Sequence, residues 1–188
     1  MEDRLAMEGG EPVIKKALPP PYPGALMIGV EEEKAVLEVL RSRSLFRYYG
    51  PRPLYKVEEF ERLFAKRIGC RHALAVTSGT AALFVAMKAL GLKPGDLVAV
   101  PAYTWISTPM AAVYCGARVV LVDVDETLNM NPGELEEVGQ GVKLVVPVHM
   151  RGAPADMDGI IRVANGLGAR VLEDVAQACG GSFRGRML

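Results

Sequence analysis

Three short segments carry side chains whose types and spacing suit them for chemistry, and each stands where an apolar run ends. In VTSGTAAL, Val76 to Leu83, the residues Ser78, Gly79 and Thr80 open a helical pattern directly after the run ALAVT. The first N–H groups of a helix lack intrahelical partners and carry the positive end of its dipole, so they suit a phosphate, and Gly79 permits close approach. A simple helix cap from Ser78 or Thr80 accounts for the same residues. In PAYTWIST, Pro101 to Thr108, Trp105 is the single tryptophan of the chain. Its ring could stack on a flat ligand or fill a core or interface position. In VLEDVAQACGG, Val171 to Gly181, Asp174 closes an apolar run and Gln177 follows it. A carboxylate facing a pyridine-type nitrogen keeps that nitrogen protonated and makes the ring an electron sink, and Gln177 could hydrogen-bond a phenolic oxygen. The plainer use of Asp174 is to cap the following turn or pair with an arginine.

These segments need a scaffold that brings strand ends together. Apolar, β-branched runs stand at 73 to 77, 97 to 101, 118 to 124, 143 to 148 and 170 to 175, and between them lie TAALFVAMKAL, WISTPMAAVYC, PGELEEV and DMDGIIRVANGL. Runs that are apolar throughout are buried on both faces, as crossover helices bury a parallel sheet, so the expected class is α/β, a three-layer α/β/α sandwich with a mostly parallel sheet. In such sheets the ligand crevice lies beyond the carboxyl ends of the strands, where all three segments fall. Ahead of the sheet, helical spacing predicts one helix over Val30 to Arg43 with Val36, Leu37 and Leu40 on one face. A second begins near Tyr55, carries Val57, Phe60, Leu63, Phe64 and Ile68, and closes at Gly69. Residues 1 to 24, rich in proline, read as an irregular arm, and 25 to 188 as one domain.

Composition excludes several classes. With 188 residues and 50% hydrophobic content the chain can bury a core, and its 22 basic residues balance 22 acidic ones, so no net field favours nucleic acid or a membrane surface. Cys70, Cys115 and Cys179 are scattered, and His72 and His149 are the only histidines, which argues against a zinc site or a disulfide framework. The acidic start MEDRLAMEGGEP has no hydrophobic leader, and no apolar run approaches a membrane span, so a cytoplasmic location is expected.

Jointly, VTSGTAAL, VPAYTWIST, VDVDETLNMNP, VPVHMRGAPADMD and VLEDVAQACGGSFRGR resemble the successive blocks of the DegT/DnrJ/EryC1/StrS aminotransferases, pyridoxal-phosphate enzymes of fold type I, over roughly residues 45 to 188. The resemblance implies pyridoxal 5'-phosphate as cofactor, with Gly79 and Thr80, beside Ser78, at its phosphate. Trp105 would stack on its ring, with Asp174 at the ring nitrogen and Gln177 near the phenolic oxygen. It implies glutamate or glutamine as amino donor, a keto sugar or ketocyclitol as acceptor, and a homodimer. In that family a Schiff-base lysine and a phosphate-binding serine fall shortly beyond the equivalent of Arg186. None of Lys15, Lys16, Lys34, Lys56, Lys66, Lys88, Lys93 and Lys143 stands in that context, so no catalytic residue is assigned. The expectation is the N-terminal part of such an enzyme, an incomplete large domain that stops before the lysine and the C-terminal small domain. The competing expectation is a non-catalytic phosphate-binding or assembly module that pairs with a separately encoded second half. A dinucleotide-binding protein is disfavoured, because no GxGxxG follows the first strand.

Overall fold

A parallel strand covered by helices on both sides must send apolar side chains in both directions, and Leu97–Pro101 does so. In the computed structural model, which describes residues 4–17 and 24–188, this segment is β1, one of the two inner strands of a four-stranded sheet. The others are β2, Arg118–Val122, β3, Val142–Val145, and β4, Arg170–Val171, all parallel and in the order β2-β1-β3-β4. The chain divides after Lys56 into two compact units, and the sheet belongs to the second.

Helices cover both faces of that sheet. They are α3, Gly79–Ala89, α4, Ser107–Tyr114, α5, Pro132–Val138, and α6, Met157–Leu167. Val98, Val100 and Leu144 pack with Leu83 and Met87 of α3 and Ala111 and Ala112 of α4. Ala99 and Val145 point the other way and pack with Leu135 of α5 and Ile160, Val163 and Ala164 of α6. The alternation along β1 is the period of two that pleating dictates, and it produces the expected three layers. Local signals set the helix ends: Asn131 accepts the Gly133 N–H at 2.9 Å, Asp156 accepts that of Gly159 at 3.2 Å, and Gly168 closes α6 in the left-handed conformation.

In the first unit, α1, Val30–Ser42, opens with the Gly29 N–H donating to Glu32 Oε2 at 2.8 Å, a contact that lowers the Glu32 carboxyl from its ordinary value. The expected stripe of Val36, Leu37 and Leu40 is exposed, and Ser42 is the buried residue of this helix. Next in the chain, α2 spans Lys56–Ile68, and Gly69 follows it with a positive φ. Pro19, Pro20, Pro21 and Pro23, on which the reading of an irregular arm rests, lie outside the described residues.

Several strand expectations need correction. The run at 73 to 77 forms no strand: a strand exists through its ladder, none of the described strands pairs with this segment, and its Ala75 N–H donates instead to Glu61 Oε1 at 2.7 Å. Leu74 is left 62% exposed. The run at 118 to 124 ends as a strand at Val122, with Val124 bridging Met130, and that at 170 to 175 yields two strand residues and then a bridge between Val148 and Asp174. A hairpin absent from the sequence reading closes the described residues, with β5, Ser182–Phe183, against β6, Arg186–Met187. Arg184 and Gly185 turn it with φ of 47° and 80°, the left-handed pair that a tight hairpin requires. No helix among the described residues is long and apolar enough to cross a membrane.

Ile160 has no exposed surface in the core between α5, α6 and the sheet. Ile160→Ala should cost about 2–5 kcal/mol of stability, read as a lower urea midpoint at constant slope. An unchanged midpoint would contradict this account of the core.

Candidate functional site

Beyond the carboxyl ends of the strands lies a cavity of about 470 Å³, and five of the six residues singled out in the sequence line it: Gly79, Thr80, Trp105, Asp174 and Gln177. The sixth, Ser78, is not among the lining residues. Its Oγ accepts the Ala81 N–H at 3.1 Å and caps α3. Three lining hydroxyls, Thr104, Ser107 and Thr108, were not singled out.

The start of α3 forms one wall. A Cβ built on Gly79 would meet nothing within 4 Å, so the backbone there is open to a ligand. Thr80 Oγ1 donates to Ser107 Oγ at 2.9 Å, which ties the start of α3 to the start of α4. Trp105, 71% exposed, stands at the cavity with its ring uncovered, so a core position does not describe it.

Asp174 also lines the cavity and is 8% exposed. Its backbone is clamped to the end of β3: its N–H donates to Pro147 O at 2.9 Å, and its carbonyl accepts from the His149 N–H at 3.2 Å. Oδ1 accepts the Ala176 N–H at 3.1 Å, the turn-capping bond anticipated as the plain alternative, and Oδ2 accepts from Thr108 Oγ1 at 2.7 Å. Both oxygens only accept, and no ion pair involving Asp174 forms among the described residues. The carboxylate therefore keeps lone pairs for a cavity ligand.

Gln177 is oriented by its neighbour. Its Oε1 accepts the Arg151 N–H at 2.9 Å, so the amide NH₂ is the end left free to donate. Arg151 adopts a φ of 52° to make this bond, and its guanidinium donates to the Tyr103 hydroxyl at 3.3 Å, which raises its pKa further. Behind the loop, His149 is fully buried. Its Nδ1 accepts the Ala155 N–H at 3.1 Å, so Nε2 carries the proton and donates to Glu173 Oε2 at 3.1 Å. No lysine lines the cavity.

An open helix start, an exposed indole and a buried carboxylate line one cavity at the carboxyl end of a parallel sheet, in a domain of the α/β class. The model of the DegT/DnrJ/EryC1/StrS aminotransferase family matches residues 27–188, and the chain belongs to that family. It is 45% identical over 164 residues to the spore coat polysaccharide biosynthesis protein SpsC of Bacillus subtilis (strain 168), a match covering 86% of this chain and 41% of that protein. With the GDP-perosamine synthase of Caulobacter vibrioides it shares 42% identity over 132 residues, 69% of this chain and 36% of the synthase. The chain thus spans about two-fifths of the length of these relatives. Among solved structures, 3-amino-5-hydroxybenzoic acid synthase superposes with a TM-score of 0.81 at 37% identity, covering 86% of this chain and 42% of the synthase. An Escherichia coli GDP-4-keto-6-deoxy-D-mannose-3-dehydratase with bound hydrated pyridoxal phosphate superposes at 0.76 with 30% identity, covering 86% of this chain and 42% of that one.

Because Ser78 is a cap, Ser78→Ala should lower stability by about 1 kcal/mol through α3. Urea unfolding reads this directly, and a loss below a few tenths would contradict the role.

Proposed function

We propose that this chain is the cofactor-holding part of a pyridoxal-phosphate-dependent aminotransferase acting on a keto sugar or ketocyclitol, with glutamate or glutamine as amino donor. The observation that carries the proposal is the cavity itself, where the α3 start, Trp105, Asp174 and Gln177 face one volume. Two of its relatives are a perosamine synthase and a spore polysaccharide protein, which supports a sugar acceptor. When bound, pyridoxal phosphate supplies an aldehyde and an electron-accepting ring for moving an amino group. The chain supplies the rest. The N–H groups at Gly79 and Thr80 hold the phosphate, and Trp105 lies against the ring. Asp174 keeps a proton on the ring nitrogen, and the Gln177 amide donates to the phenolic oxygen. With no lysine on the wall, these residues bind the cofactor reversibly, and the amine for covalent attachment comes from a further segment, of the same polypeptide or of a separately encoded partner. The exposed Trp105 at the cavity and the exposed Ile106 next to it in the chain support a site shared between two copies.

The 188-residue chain should bind pyridoxal phosphate with quenching of its single tryptophan, and borohydride treatment should leave no pyridoxyl group at any one site by mass spectrometry. A stoichiometric adduct on one lysine, or no quenching at saturating ligand, would contradict the proposal. Asp174→Asn should weaken binding by about tenfold or more, since an amide cannot hold the pyridinium proton by charge. Parental affinity in that variant would remove Asp174 from the ring nitrogen.

A further inference from the structure

A line of two hydroxyls, half-buried Thr104 and buried Thr108, ends on the Asp174 carboxylate, and its proton directions follow from counting. Thr108 is 1% exposed, and the one hydroxyl proton it owns goes to Asp174 Oδ2 at 2.7 Å. Thr104 Oγ1 lies 3.2 Å from Thr108 Oγ1, and since the Thr108 proton is already committed, Thr104 is the donor of that pair. The line therefore runs Thr104 to Thr108 to Asp174, in the sense that suits an ionised carboxylate. Thr108 sits in the first turn of α4, yet its hydroxyl does not cap the helix, and its backbone N–H donates to the Trp105 carbonyl at 3.1 Å. One residue thus holds the backbone of the exposed ring and the oxygen of the buried carboxylate.

We propose that Thr108, backed by Thr104, is a positioning residue that sets the protonation of the cofactor's ring nitrogen by holding Asp174 as an oriented carboxylate. This rests on the reading of the cavity as a pyridoxal-phosphate site. A hydrogen bond to a charged acceptor is worth more than one between neutral groups, so a buried carboxylate that loses a donor is less favoured as the anion and competes better for a proton shared with a nitrogen beside it. Thr108→Val removes the donor and keeps the shape. Thr108→Ser keeps the donor and drops the methyl.

The test uses the whole 188-residue chain and pyridoxal phosphate labelled with ¹⁵N in the ring, whose chemical shift reports protonation at that atom, alongside affinity from tryptophan quenching. The parent should show a protonated nitrogen. Thr108→Val should move the shift toward the unprotonated value and weaken binding about tenfold, while Thr108→Ser returns both toward the parent. Thr104→Val, at a less buried position, should move the shift the same way by less, and it serves as the test if Thr108→Val does not fold. A parental shift in both valine variants would overturn the proposal, even alongside weaker binding, because lost packing alone leaves the nitrogen protonated. So would a serine variant that behaves like valine. A parent that binds the cofactor with an unprotonated nitrogen removes Asp174 from that role, and a parent that does not bind removes the cofactor reading; either result takes this inference with it.

Discussion

The Asp174 carboxylate is the constraint around which the second unit is organised. A charge at 8% exposure is costly unless donors meet it, and the donors here come from separate elements: the turn at Ala176 and the first turn of α4 through Thr108. The same residue is locked by its backbone to Pro147 and His149 at the end of β3. Those bonds form only if β3, β4 and α4 are already in register. The placement of this oxygen pair therefore depends on the segments that follow β3 and β4 and on the start of α4.

The start of α3 obeys a different rule. There the proposed phosphate contacts are backbone N–H groups, and a Cβ on Gly79 would meet nothing within 4 Å. Ser78 takes the Ala81 N–H, Thr80 turns to Ser107, and Gly79 leaves open space. Trp105, 71% exposed, lines the same cavity.

Much of this was legible in the chain because strand ends are where apolar runs stop, and Trp105, Asp174 and Gln177 are distinctive side chains at those stops. β1 was legible almost to the residue because its five members are apolar on both faces. The run at 73 to 77 has the same look, but periodicity carries no information about a ladder partner, and here the segment has none among the described strands. The hydroxyls were missed for another reason. Within TWIST, threonine and serine look like ordinary residues of a helix start, although the four-residue spacing of Thr104 and Thr108 puts them on one side of a turn; only coordinates show that the second donates to Asp174. His149, which the sequence marks only as one of two histidines, is a buried link between Glu173 and the Ala155 N–H. The stripe on α1 shows the reverse case, where helical spacing was right for the helix and its apolar face remains exposed.

The most direct measurement is a crystal structure of the chain grown with pyridoxal phosphate. The phosphate is expected at the N–H groups of Gly79 and Thr80, the ring against Trp105, and the ring nitrogen within hydrogen-bond distance of Asp174. A ligand bound elsewhere, or one with its phosphate turned toward Asp174, would contradict that placement.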